Sequence, residues 1–335
     1  MFELIILIVS LGIILLGAEI FTNGVEWLGK KLRLSEGAVG SILAAVGTAL
    51  PETMIPVIAI LFGEGEAGHD IGIGAILGAP FMLSTLAFFI TGVAVIIFKK
   101  QHHNYPNLNV DPQVIKRDLG FFILVYTIAI LAAFFSVHTY KIMIALGLVI
   151  AYGIYVFFTL VNGQTLGEEH HINPLFFDRK NIHNPRLNRV ILQTLFALAV
   201  IIAGAKIFVN DIEQLSVLLG IPSFVLALII APIATELPEK FNSIIWVSKG
   251  KDTLALGNIT GAMVFQSSLI PALGIALTPW MLDFKAIISA VLALLSATII
   301  YLQLLLRNRM TPFALLFGGA IYGIFVLLVI IGVIR

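Results

Sequence analysis

The sequence predicts an all-α membrane protein of ten transmembrane helices, arranged as two inverted five-helix repeats with helices 2 and 7 broken. Three observations predict it: ten apolar segments long enough to cross a bilayer, a stretch duplicated at an offset of 187 residues, and a Pro-Glu pair at the matching point of each copy. Of the 335 residues, 59% are hydrophobic and only 12% charged, with a mean hydropathy of +1.04. A soluble domain carries about 25% charged residues, so little of the chain is expected outside the membrane. The net charge of +1 and the lack of a basic run give nucleic acid nothing to bind. The absence of cysteine excludes disulfides, thiolate metal sites and a cysteine nucleophile. The expected partners are the lipid bilayer and inorganic cations; no cofactor and no protein partner is indicated.

A spanning helix needs about 20 apolar residues. Ten segments qualify: 3–28, 37–62, 71–98, 119–136, 141–162, 190–212, 223–247, 254–280, 285–306 and 312–334. The first has no basic leader and no small-residue cleavage site before a polar domain, so it reads as a retained helix. Orientation follows from the basic residues of the loops, which concentrate on the cytoplasmic side. Fifteen of the twenty Lys and Arg fall in the loops after segments 1, 3, 5, 7 and 9, and three on the opposite side; Lys206 and Lys240 lie within segments. The chain therefore reads as a multi-pass protein of the plasma membrane with both termini outside and the loop 163–189 in the cytoplasm.

Residues 17–52 laid over 204–239 without gaps match at 14 of 36 positions. Apolar bias can pair Leu with Leu, but not Asn23 with Asn210, Glu26 with Glu213, Thr48 with Thr235, Pro51 with Pro238 and Glu52 with Glu239 together. At an offset of 183, Gly74 and Gly78 fall on Gly257 and Gly261, and Ser84 falls on Ser267. The chain thus divides into a first repeat, 1–162, with its motif at 37–85, the loop 163–189, and a second repeat, 190–335, with its motif at 223–268. Five helices per repeat turn the second copy upside down relative to the first. Inverted repeats with interrupted helices meeting near the midplane are a design of secondary transporters.

The paired motifs read Gly-Thr-Ala-Leu-Pro-Glu at 47–52 and Ala-Thr-Glu-Leu-Pro-Glu at 234–239. Proline removes one N–H and crowds the carbonyl four residues back, so Pro51 and Pro238 should loosen carbonyls one turn earlier. Thr48 and Glu52 are four apart and share a helix face, as do Thr235 and Glu239. Each motif offers a carboxylate, a hydroxyl and loosened carbonyls, the oxygen ligands that hard cations such as Ca²⁺ take. An ionisable residue inside a span is costly and points to function; an ordinary proline kink with structural glutamates is the plainer reading. The spans hold no Ser-His pairing, no His-Glu-x-x-His and no Asp-rich phosphate motif, so no enzyme is expected.

These two motifs, with Gly74–Ser84 and Gly257–Ser267, resemble the two repeats of the cation/Ca²⁺ antiporter superfamily, in particular the sodium/calcium exchangers. The resemblance implies that Glu52 and Glu239 are the central Ca²⁺ ligands, with Thr48 and Thr235 adding oxygens. It also implies alternating access, with helices 1 and 6 sliding against the remaining eight. The chain departs from that pattern at Ala49 and Glu236, at Ala79 and Ala262, where serine is usual, and at Leu83 and Gln266, where Asn or Asp is usual. Several oxygens associated with Na⁺ are therefore absent, and Glu236 and Gln266 join the candidate metal ligands.

Lys240 fits three roles: an ion pair with Glu236 one turn earlier, a built-in cation at a sodium position, or a side chain reaching the cytoplasmic surface. Glu19 and Lys206 occupy matching positions with opposite sign and either flank ion paths or pair with other polar groups. His102, His103, His170 and His171 read as solvated loop residues, and Glu64, Glu66, His69 and Asp70 as an acidic outer loop. The function expected is a secondary antiporter exporting Ca²⁺ in exchange for Na⁺ or H⁺; the alternatives are an antiporter-like protein of altered ion specificity and a cation channel.

Overall fold

The computed structural model describes residues 2–31, 49–63, 65–102, 104–162, 173–179, 181 and 184–334, with backbone alone for residues 2, 50, 160–162 and 237–242. Ten helices run through the described residues. The first five are α1 Phe2–Lys31, α2 Leu50–Phe62, α3 Gly65–Ile97, α4 Pro112–Leu131 and α5 His138–Asn162. The second five are α6 Leu187–Leu219, α7 Ser223–Ser248, α8 Asp252–Leu277, α9 Phe284–Arg307 and α10 Pro312–Ile330. Eight are long and apolar enough to cross a membrane, and Pro51–Phe62 and Ser223–Glu236 are shorter apolar stretches.

Several helices start earlier than the hydropathy pattern suggests. α3 begins at Gly65, so Glu66, His69 and Asp70 sit in its first turns rather than in a loop. α4 begins at Pro112, behind an Asp111 cap that accepts the Gln113 N–H at 2.9 Å. A hydropathy window marks where apolar residues begin; a cap and an N-terminal proline mark where helical hydrogen bonding begins. The break expected in helix 7 is a further correction, because the α7 backbone is helical without interruption from Ser223 to Ser248, through Pro238. A proline costs one hydrogen bond and bends a helix, and neighbouring helices hold such a bend without ending the element. The break expected in helix 2 falls on residues outside the described set; α2 is described from Leu50, with Pro51 in its first turn.

α3 carries an irregularity that the sequence did not flag, a π-turn at Leu83–Ala87 just after Pro80. A wider turn shifts the carbonyl register. Ser296 of α9 donates to the Ser84 carbonyl, and Gly318 of α10 lies so close to Thr85 that a Cβ there would sit 2.4 Å from its carbonyl oxygen.

Two apolar cores organise the helices. The larger runs through α3, α4, α7, α8, α9 and α10, with Phe81, Phe88, Phe122, Tyr126 and Trp280 at most 1% exposed. The smaller joins Ile14 of α1, Ile55 and Ile58 of α2, Ile71 of α3, Ile201, Phe208 and Ile212 of α6 and Leu226 of α7. α1 and α6 pack antiparallel through a reciprocal contact. A Cβ on Gly17 would meet Ile201 at 2.8 Å, and one on Gly204 would meet Ile14 at 2.9 Å. Gly17 and Gly204 are 187 residues apart, and so are Ile14 and Ile201. The contact therefore has a local two-fold that exchanges the two copies of the repeat. α3 and α7 approach equally closely, Gly74 against Phe224 and Gly78 against Leu228. Their repeat counterparts would set Gly257 and Gly261 against residues 37 and 41, which lie outside the described set.

His102 differs from its reading as a solvated loop residue. It is 7% exposed, with Nε2 2.8 Å from Oδ1 of Asp252, itself fully buried, and Nδ1 3.0 Å from the Phe98 carbonyl. Asp252 Oδ2 accepts the Asn109 N–H at 2.9 Å, so this pair fixes the loop after α3 to the start of α8. Sequence distance hid the pairing, since 150 residues separate the partners. Removing one partner of a buried ion pair costs about 3–5 kcal/mol. Asp252→Ala is expected to lower stability by about that much, read as a fall in the thermal midpoint in detergent.

Candidate functional site

The two motif copies come together at the first turn of α2 and the middle of α7. Glu52 is 7% exposed, Thr235 3% and Glu236 1%. Thr235 lies on the turn after Ala231, whose carbonyl accepts its hydroxyl at 3.2 Å. At the start of α2 the Ala49 carbonyl accepts both the N–H and the hydroxyl of Thr53, at 3.2 and 2.7 Å. That anchors the turn carrying Pro51 and Glu52.

Gln266 reaches the site from α8. It is 3% exposed and its amide Nε2 donates to Oε1 of Glu236. Its own carbonyl oxygen is buried and has no hydrogen-bond partner among the described residues. Of the six candidate ligands, the described side chains thus place Glu236 and Gln266 in direct contact and bury Glu52 and Thr235 nearby in the fold. Thr48 and the side chains of Glu239 and Lys240 lie outside the described residues, so the Glu236–Lys240 pair and the Glu52–Glu239 convergence remain expectations. Among the described residues no three His, Asp or Glu side chains cluster closely enough to hold a metal.

A cavity of about 310 Å³ connects the motifs to the surface. Pro51 of the first motif and Thr235 of the second both line it, beside Glu19, Thr22, Asn23 and Glu26 of α1. Asn173 and Phe176 of the loop before α6 also line it. That loop is clamped from below. The Asn173 carbonyl accepts both Asn23 Nδ2 and Trp27 Nε1 at 2.9 Å. Gln193 of α6, fully buried, donates to Asn23 Oδ1 at 3.0 Å and to the Ile20 carbonyl at 2.9 Å, and accepts the Phe177 N–H at 3.0 Å. Sequence reasoning missed Trp27 and Gln193; the available signal was one polar side chain near the end of each of two apolar segments. Nearby, Asp178 is held below the usual carboxylate range, chiefly by the backbone N–H of Arg186 at 3.0 Å.

The arrangement provides buried oxygens beside a largely apolar cavity into which Glu19 and Glu26 bring acidic groups, which suits a cation that binds and leaves. Comparison with known proteins agrees in kind. The profile of a family described as sodium/calcium exchanger protein matches residues 2–161 and 189–331. A sodium/calcium exchanger, MaX1, of Methanosarcina acetivorans is 25% identical over 299 residues, covering 79% of this chain and 80% of its own. A putative antiporter, CaxA, of Alkalimonas amylolytica is 24% identical over 305 residues, covering 90% and 89%. In three dimensions the chain is similar to the H⁺/Ca²⁺ exchanger CAX, with a TM-score of 0.70 at 18% identity over 98% of this chain and 82% of that one. It is also similar to the sodium-calcium exchanger NCX_Mj, with a TM-score of 0.56 at 18% identity over 97% of each chain. At these identities the structural likenesses speak to the fold alone.

Proposed function

Because the chain belongs to the sodium/calcium exchanger protein family, we propose that it is a secondary antiporter that carries Ca²⁺ out of the cell against Na⁺ or H⁺ by alternating access. The observation that carries this reading is the meeting of the two motif copies, Pro51 and Thr235, at one cavity beside the buried Glu52 and Glu236. On this reading Glu52 and Glu239 are the principal ligands of the transported cation, with Thr48, Thr235, Glu236 and Gln266 around them. The ten helices form two inverted halves, a topology favoured by the antiparallel two-fold contact of α1 with α6.

The mechanism follows from the groups present. A divalent cation entering the cavity along α1 exchanges water for carboxylate, hydroxyl and amide oxygens. Buried carboxylates close together are costly when empty, so the site prefers to be occupied by Ca²⁺ or by the counter-ion. α1 and α6 move against the α3, α7 and α8 core to expose the site to one side at a time.

Of the two counter-ions, the side chains favour H⁺. Ala49, Ala79, Ala262 and Leu83 offer no oxygen, whereas Glu236 adds a third carboxylate held by Gln266. A carboxylate supplies a place for a proton without a further ligand.

The test is Ca²⁺ flux into proteoliposomes under an imposed Na⁺ or H⁺ gradient; no flux under either gradient refutes the assignment. Glu236→Gln is expected to flatten the pH dependence of that flux and cut its proton-driven component by about 10²-fold, the lower end of what one positioned proton-transfer group contributes in catalysis. An unchanged pH profile would remove Glu236 from the proton route.

A further inference from the structure

The geometry points to unequal access paths: we propose that Glu19 makes its own path capture Ca²⁺ at lower concentration than the repeat-related path, where Lys206 stands in its place. This deepens the antiporter reading and rests on it.

Glu19 is exposed on α1 and lines the cavity that Pro51 and Thr235 also line. It lies two residues beyond Gly17, the notch that receives Ile201. The two-fold that exchanges Gly17 with Gly204 carries Glu19 onto Lys206, Pro51 onto Pro238 and Thr235 onto Thr48. Lys206 is likewise exposed, two residues beyond Gly204. The remaining polar positions of the cavity on α1 show no such change. Asn23 becomes Asn210 and Glu26 becomes Glu213, so both keep their character, and Thr22 becomes Val209 with no charge involved. Position 19 is the one α1 lining position at which the sign of charge reverses.

The physical effect is long-range. A fixed charge beside a water-filled path shifts the energy of an ion in proportion to the ion's own charge, and the local concentration follows that energy exponentially. A divalent cation feels the reversal twice as strongly as a monovalent one. Salt screens it over a Debye length of about 8 Å at physiological ionic strength. Glu19 therefore enriches Ca²⁺ at its mouth and Lys206 depletes it at the other, while neither contributes a ligand to the bound ion. The Glu19 path is the one that Asn173 and Phe176 also line, the side to which the basic loops assign the cytoplasm. A high-affinity cytoplasmic mouth and a low-affinity outer mouth suit export.

The experiment measures the half-saturating Ca²⁺ concentration on each side of uniformly oriented proteoliposomes, for the unaltered protein and for Glu19→Gln and Lys206→Glu. Glu19→Gln is expected to raise the value on the 173–181 side roughly fivefold and leave the other side unchanged. Lys206→Glu, which changes two charges where Glu19→Gln changes one, is expected to lower the value on the opposite side by roughly the square of that factor and leave the 173–181 side unchanged. Both shifts should shrink in high salt, which a structural defect would not reproduce. Shifts on both sides alike, on neither, or insensitive to salt overturn the inference. If one variant fails to fold, the other decides alone. Absence of Ca²⁺ flux in the unaltered protein removes the antiporter reading and this inference with it; flux with unmoved half-saturation removes this inference only.

Discussion

Glu52→Gln is expected to abolish Ca²⁺ exchange while leaving the protein folded. The substitution keeps the shape of a 7%-exposed side chain and removes its charge. A divalent cation taken out of water needs that charge, because losing one partner of a buried ionic interaction costs about 3–5 kcal/mol. At about 1.4 kcal/mol per tenfold, that is roughly two to three and a half orders of magnitude in affinity. Isothermal titration of Ca²⁺ to the purified variant reads the loss directly, and a thermal melt in detergent reads the fold. Glu239→Gln should behave alike, since it stands at the matching position of the second motif. Retained binding in both variants would place the cation elsewhere. Loss in only one would mean that the two halves contribute unequally.

A single methyl group is expected to disturb both stability and transport. Gly78→Ala would set a Cβ 2.3 Å from the Leu228 carbonyl oxygen, 2.8 Å from Cγ of Pro232 and 2.9 Å from the Leu228 carbonyl carbon. Two of those three atoms are backbone, which cannot swing aside as a side chain can. α3 must move away from α7, and overpacking of this kind costs about 1–3 kcal/mol and occasionally more. α3 holds the π-turn and α7 holds Thr235 and Glu236, so the same displacement should also reduce transport. Gly153→Ala is the control: a Cβ there meets nothing within 4 Å among the described residues, and alanine is the better helix former by about 0.5–1 kcal/mol. A Gly78→Ala protein that melts at the same temperature as the control would show that the α3–α7 approach is slack.

The family and the general plan were legible because they depend on local signals. Apolar runs give helices whatever their partners, and a duplicated Thr-x-x-Pro-Glu survives as a string of letters. Helix ends were less legible, since Asp111 and Gly65 set them from outside the apolar window. The π-turn at Leu83–Ala87 was invisible because no residue type encodes it; it is held by Ser296 and Gly318, more than 200 residues away. His102 went wrong for the same reason, its partner Asp252 lying 150 residues along the chain. At the site, Glu52, Thr235, Glu236 and Gln266 were all singled out by type and position, and each is buried. The Glu236–Gln266 hydrogen bond was not foreseen, because the helical spacing of Glu236 and Lys240 drew attention to a neighbour on the same helix rather than to α8.

The reciprocal seating of Ile14 and Ile201 constrains how the molecule changes shape. Each knob is held in the other helix's notch, so neither rod can slip alone without prising a side chain from its socket. If the protein works by the alternating access proposed above, the pair would be geared and would tilt as one seesaw whose fulcrum is that crossing. What such a beam uncovered at one end it would cover at the other, so chain geometry would oppose a continuous leak before any ion had bound.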